Sequence, residues 1–285
     1  MSTLAERVVI VLVQPLHPGN VGSTARAMRN FGLERLILVD PPAHDPERAR
    51  WMAPGCADLL DRARIVGTLD EALDGVHHAI GTTARHRRSD HAVIEPAEVA
   101  RRVVSADDDS VTAILFGRED NGLTNEELAR CGVLVRIATP EHASLNLAQA
   151  VLLLAHHLYE EARRHGEVAS GRTLGGSRSP RSTRDVGRTS AKDRRADLPK
   201  LEPAVEELVA LLDRVGYTRS APEAKVRVTA RQALQAAGLS TRQVDALRGM
   251  VSRIDWALDH PGLDWKKTKG GAGTPPAPAP DDPQE

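Results

Sequence analysis

Aromatic side chains are almost missing from this sequence: Trp, Tyr and Phe together make up 2% of its 285 residues. That scarcity argues against reading nucleic acid on stacking platforms, where exposed rings carry the bases. Cysteine is nearly as rare. Cys56 and Cys131 form no C-x-x-C pair, so neither a disulfide framework nor a zinc ribbon is suggested. No sign of charge dominates, since 38 Lys and Arg stand against 39 Asp and Glu, and a uniformly basic nucleic-acid binder is excluded. Long apolar runs are absent as well. The opening "MSTLAERVVIVLVQP" has no basic leader and its apolar stretch is too short to cross a bilayer, so a soluble cytoplasmic protein is the expectation.

What is present is an alternation. Short apolar runs, "VVIVLV" (8–13), "RLILVD" (35–40), "ARIVGT" (63–68), "HHAIGTT" (77–83), "VTAILFG" (111–117) and "VLVRIA" (133–138), are separated by helical patterns. Those patterns predict a helix from about Ser23 to Asn30, ended by Gly32, and another opening at "TNEE", where Thr124 and Glu127 fit a capping box. A long helix, "LNLAQAVLLLAHHLYEEARRH", closes the series. Such an alternation predicts an α/β domain with a parallel sheet covered by helices on both faces. Ligands of such sheets bind beyond the carboxyl ends of the strands, where the polar and glycine-bearing turns fall.

Composition changes after residue 165. From Ser170 to Arg195 eight Lys or Arg stand against two Asp, without periodicity, so 166–199 reads as a basic flexible linker, either a solvated tether or a segment that rests on phosphates. Three helical patterns follow within 200–262, at about Pro203 to Val215, Pro222 to Ala237 and Thr241 to Leu258. The last opens with a second capping box, Ser240 and Gln243, and puts Val244, Leu247, Val251, Ile254 and Leu258 on one stripe. These helices are expected to pack on the sheet domain or on a second subunit. The Pro/Gly-rich tail, 263–285, is expected to be disordered.

"QPLHPGNVGSTARAMRNFG" (14–32) follows the first strand and resembles the start of a nucleotide-binding fold. Two phosphate cradles can be tested on it, and both fail. Gly19 and Gly22 do not make the three-glycine dinucleotide spacing, and no lysine follows as a P-loop requires. The turn serves something else, with Asn20, Ser23, Thr24 and Arg26 as its candidate polar residues. The His77–His78 and His156–His157 pairs lack carboxylate or thiol partners at ligand spacing, so no metal site is expected.

Three stretches, "NVGSTARAMRNFG", "ILFGREDNGLTNEEL" and "IATPEHASLNLAQAV", resemble motifs one, two and three of the SpoU/TrmH family of SPOUT RNA 2′-O-ribose methyltransferases. The resemblance covers roughly residues 7 to 160, and the three motifs in order make it specific. "GTTAR" (81–85) and the C-terminal helical region resemble a tRNA-methylating branch of that family. "MAPGCADLL" departs from it, with Pro54 and Cys56 where an Ala/Gly-rich segment is expected.

The resemblance implies a SPOUT-type α/β fold with a trefoil knot in the C-terminal part of the sheet domain. It implies S-adenosylmethionine as cofactor, held around Thr82, Thr83 and Ala84, around Leu115 and Gly117, and around Ile137, Ser144, Leu145 and Asn146. It implies a homodimer acting on tRNA, at anticodon-loop position 32, without a metal. Methylation of ribosomal RNA and a catalytically idle RNA-binding scaffold remain open beside it. By motif position Arg26 is the catalytic arginine, with Asn20 and Ser144 orienting the nucleotide and Glu119 as the motif-two acid. A sulfonium methyl donor needs alignment and a competent nucleophile. With a pKa above 12, Arg26 suits charge stabilisation at the ribose oxygen better than proton removal. Glu119 either takes a direct part or caps nearby N–H groups.

Overall fold

The computed structural model describes residues 3–42, 45–84, 91–140, 144–167, 194–219 and 221–260. The basic segment 168–193, "RHRRSD" (85–90) and the tail from 261 onward lie outside the described residues. Seven parallel strands, β1 (Val8–Val13), β2 (Arg35–Val39), β3 (Arg64–Val66), β4 (His78–Thr82), β5 (Val93–Ile94), β6 (Thr112–Phe116) and β7 (Val133–Val135), form one sheet in the order β3-β2-β1-β6-β4-β7-β5. The helices are α1 (Leu4–Arg7), α2 (Pro18–Asn30), α3 (Pro46–Trp51), α4 (Ala57–Asp61), α5 (Leu69–Ala72), α6 (Pro96–Val104), α7 (Asn125–Ala129) and α8 (Leu147–Arg164). Beyond residue 194 come α9 (Leu198–Arg214), α10 (Glu223–Ala237) and α11 (Thr241–Asp259).

β1 shows why both faces of the sheet must be covered. All six of its side chains are buried, and successive residues point to opposite faces. Val8, Ile10 and Leu12 enter the cluster under α2, α6 and α8, whereas Val9, Val11 and Val13 enter the one that includes Leu198, Leu201 and Ala204 of α9. The C-terminal helices therefore pack on the second face of the sheet. Polar contacts reinforce the packing: Leu198 N–H donates to the Val76 carbonyl (2.8 Å), and Gln232 Nε2 donates to the Gly132 carbonyl (2.8 Å). Buried Arg231 reaches both Glu202 and the Ala129 carbonyl.

Helix starts differ from expectation at two places. α2 begins at Pro18, not near Ser23, because a proline at the first helical position costs no hydrogen bond and presets the backbone. Its Gly22 is a packing requirement: a Cβ there would lie 1.9 Å from the Ala49 carbonyl oxygen of α3. α9 begins at Leu198, capped by Asp197, and runs through Pro203. The capping boxes at Thr124–Glu127 and Ser240–Gln243 are both formed. Along α11 the apolar stripe is only half used, with Val244 and Val251 buried and Ile254 and Leu258 exposed.

Candidate active site

A cleft of about 260 Å³ opens at the carboxyl ends of β4, β6 and β7. Thr82 ends β4 and Thr83 and Ala84 follow it, Gly117 to Leu123 follow β6, and Ile137, Ser144 and Leu145 lie between β7 and α8; all line it. Of the residues expected at a cofactor, Leu115 does not line the cleft. It sits inside β6, fully buried, and its carbonyl accepts a 2.9 Å bond from Thr82 Oγ1. Gly117 is required by the backbone packed against it. A Cβ at 117 would meet the Gly122 carbonyl carbon at 2.1 Å and the Leu123 nitrogen at 2.2 Å, so the chain folds back against itself there.

The three motifs meet beside this cleft. Glu119 accepts from Leu16 N–H (2.8 Å), His17 N–H (3.2 Å) and Asn20 Nδ2 (2.8 Å). These groups surround the start of α2, whose N-cap His17 supplies no side-chain cap of its own. The carboxylate serves instead, at the end of the helix where negative charge is favoured. Burial works against that charge, but the bonds from Asn20, Leu16 and His17 outweigh it and hold the Glu119 carboxyl below its ordinary value. The capping role is thus what Glu119 performs within the fold.

Asn20 passes the connection on. Its Oδ1 accepts from Asn146 Nδ2 (3.0 Å), and Asn146 Oδ1 caps α8 by accepting from Ala148 N–H (2.9 Å). Gln149 completes a capping box around Asn146. Both carboxamides are oriented by the network, because each has one end that must donate and one that must accept. Neither Asn20 nor Asn146 lines the cleft itself; they lock the helix starts that flank it.

Arg118 is a residue that motif reading passed over. It lines the cleft, pairs with Glu127 (3.0 Å) and donates from Nε to Gln14 Oε1 (2.7 Å), while Gln14 Nε2 donates to Asp40 (2.6 Å). Gln14 and Asp40, the residues just after β1 and β2, have positive φ, +46° and +42°, a conformation uncommon outside glycine. Such backbones persist where the surroundings fix them, and they cluster at functional sites. Its place inside "GRED" (117–120) was the sequence signal for it.

Arg26 stands apart. It is exposed on α2, does not line the cleft, and has no hydrogen-bond partner among the described residues. Six residues of α-helix separate it from Asn20, so the two point about 120° apart around the axis. Thr24 is fully buried and unavailable to a ligand, while Ser23 is half-buried. Among the described residues no group of three or more His, Cys, Asp or Glu could hold a metal ion, and no helix is long and apolar enough to cross a membrane.

Comparison with known proteins shows the family. Residues 7–156 match the SpoU rRNA Methylase family. A tRNA (cytidine/uridine-2′-O-)-methyltransferase TrmJ of Photorhabdus laumondii is 34% identical over 256 residues, 89% of this chain and 99% of that protein. A tRNA (cytidine/uridine/adenosine-2′-O-)-methyltransferase TrmJ of Pseudomonas aeruginosa is 45% identical over 157 residues, 54% of this chain and 61% of that one. The crystal structure of TrmJ from Z. mobilis superposes with a TM-score of 0.64 at 29% identity, covering 87% of this chain and 98% of that one. The sheet with its flanking helices, the three joined motifs and the similarity along most of the length lead to one conclusion: the chain belongs to the SpoU methylase family.

Proposed function

We propose that this protein methylates the 2′-hydroxyl of a tRNA ribose, with S-adenosylmethionine as donor, at a cytidine or uridine of the anticodon loop, position 32. The observation that carries the reading is the Glu119–Asn20–Asn146 chain, which ties the three motifs together at the mouth of the cleft. The tRNA target rests on the relatives that align along nearly their whole length, C-terminal helices included.

The cleft suits the cofactor chemically. Val135, Ile137 and Leu145 offer an apolar bed for an adenine ring, the loop backbones at Thr82–Ala84 and Gly117 offer donors and acceptors, and Glu119 and Asp120 supply negative charge next to a cation. When bound, S-adenosylmethionine supplies a methyl group already activated as a sulfonium. The residues of this chain then bind and orient. Ser144, exposed at the cleft edge, positions the ribose. The Arg26 guanidinium holds the neighbouring phosphate and stabilises negative charge developing on the 2′-oxygen. No metal takes part.

Arg26 lies on a different face of α2 from Asn20, and this favours catalysis across a homodimer, with Arg26 of one subunit facing the cofactor of the other. The exposed Leu152 and Leu153 of α8 support that reading. Phe31, just after α2, meets His156 edge-on at 5.5 Å, so this apolar shelf one turn back along α8 flanks the end of α2. The reading further includes a trefoil knot in the C-terminal part of the sheet domain, a methyltransferase domain over 1–165, a basic linker from 166 that ends where α9 begins at Leu198 rather than at 199, a helical region from there to 262, and a cytoplasmic location. Labelled methyl transfer to tRNA, with ribosomal RNA in parallel, tests the reading: label in tRNA supports it, and label confined to ribosomal RNA overturns the target.

A further inference from the structure

A second cavity, of about 500 Å³, opens at the amino ends of β4 and β6, between the sheet and α10. His78 begins β4 and Thr82 ends it, so roughly 13 Å of strand lies between this cavity and the candidate active site. Ile80, Val103 and Val133 give it apolar walls, and His78, Arg195 and Gln235 give it polar ones.

Gln235 is the telling residue. It is 6% exposed, and its Nε2 has no hydrogen-bond partner among the described residues. Buried amide donors are ordinarily paired, because leaving one unmade costs the full desolvation of the group. Its other end is pressed against the sheet domain: a Cβ on Gly132 would come within 2.1 Å of Gln235 Oε1. Gly132 thus lets the amide lie where it does.

A fixed cation stands beside it. Arg195, 13% exposed, donates to Ser110 Oγ (2.6 Å), to the Gln235 carbonyl (3.3 Å) and to Asp107 (3.3 Å). Arg102 adds a second guanidinium to the lining and pairs with Glu98 (2.9 Å). Burial, with Arg195 nearby, pulls the His78 imidazole down to about 4, so at neutral pH it presents one donor and one acceptor and no charge. Each guanidinium keeps one carboxylate partner, Arg195 with Asp107 and Arg102 with Glu98, and each carries more N–H donors than those bonds use.

We propose that this cavity binds a small organic anion, a carboxylate or phosphate monoester on a compact body, whose acceptor takes the Gln235 Nε2–H bond while its charge faces Arg195 and Arg102. The volume lies in the range of small-molecule sites, well beyond what one bridging water fills. The site is separate from the methyl-transfer cleft and does not depend on the function proposed for it.

Calorimetric titration of the full chain, saturated with S-adenosylhomocysteine, tests this with two probes: citrate for the carboxylate source and adenosine 5′-monophosphate for the phosphate source. One of them is expected to bind at one site per chain without displacing S-adenosylhomocysteine. Gln235→Leu should weaken it about tenfold, the worth of one hydrogen bond. Ala236→Trp, at an exposed position of the lining, should abolish it while leaving S-adenosylhomocysteine affinity unchanged. Failure of both probes to bind, binding that survives both substitutions, or displacement of S-adenosylhomocysteine by the probe would each overturn the assignment.

Discussion

Asn20 and Glu119, 99 residues apart in the chain, are joined by a 2.8 Å hydrogen bond from the Asn20 amide to the Glu119 carboxylate. The bond brings the loop after β6 onto the start of α2, and the same Asn20 side chain accepts from Asn146 at the start of α8. A cleft between moving loops would bind its ligand at an entropic cost. This clamp fixes its rim before any ligand arrives, which is how a site lowers the cost of ordering on binding.

Glu119→Gln keeps the shape and removes the charge. It should lower stability at neutral pH by about 1.5 kcal/mol, the lower end for charged hydrogen bonds because the group is only half-buried. The Glu119 carboxyl lies below its ordinary value in the fold, so its contribution is present above the unfolded value and is lost as pH falls through the folded one. Chemical denaturation across the acid range should therefore show wild type and Glu119→Gln converging as pH falls. A constant gap at every pH would contradict a charge-based role.

Gly117→Ala inserts a methyl group where the backbone of Gly122 already lies at 2.1 Å. The loop must move, at a cost of about 1–3 kcal/mol as for other overpacked sites. Cofactor affinity should fall with it, because Gly117 and Gly122 both line the cleft. Thermal unfolding and calorimetry of the variant check the two effects together; unchanged values in both would refute the close approach.

Cys131 is buried against the Gly81 strand, and burial pushes its thiol up to about 12. The thiolate is the reactive form, so a native-state alkylating reagent should leave this residue unmodified at neutral pH and label it only on unfolding. Mass spectrometry after a timed pulse reads the outcome, and rapid native labelling would show the packing to be wrong.

Arg26→Ala should bind S-adenosylhomocysteine like wild type, since the cleft is built without it, and should lose about 10²- to 10³-fold in methyl transfer. Arg26→Lys should recover little, because an ammonium cannot copy a planar two-pronged contact. Mixing Arg26→Ala with a Gly117→Ala chain should restore activity if one subunit's Arg26 serves the other's cleft; mixed dimers no more active than the parents would place the arginine in cis.

The fold was legible where local pattern decides it. The uninterrupted apolar run of β1 and the capping boxes at Thr124 and Ser240 are written in neighbouring residues, and each is found. β5 was not legible, since two paired residues at a sheet edge carry no periodicity. The start of α2 was misread because Gly19 and Gly22 look like a turn, whereas Gly22 answers to Ala49 on another helix. The motifs pointed to the loops that line the cleft, such as Thr82–Ala84 and those of Gly117 and Glu119, but not to Arg118 as a lining residue, nor to Leu115, Asn20 and Asn146 lying outside the lining. That Glu119 anchors a helix start, and that Arg26 faces away from Asn20, follows from contacts across about a hundred residues and from rotation around one axis.

The central claim is transfer of a methyl group to a ribose of tRNA. The most direct test incubates the purified protein with S-adenosylmethionine and unmodified tRNA, then maps the product nucleotide by nucleotide for 2′-O-methylation. The account predicts one new 2′-O-methyl group, on a cytidine or uridine of the anticodon loop, that disappears with Arg26→Ala. Methyl groups on a base, on a different RNA class alone, or at an undiminished level with Arg26→Ala would contradict it.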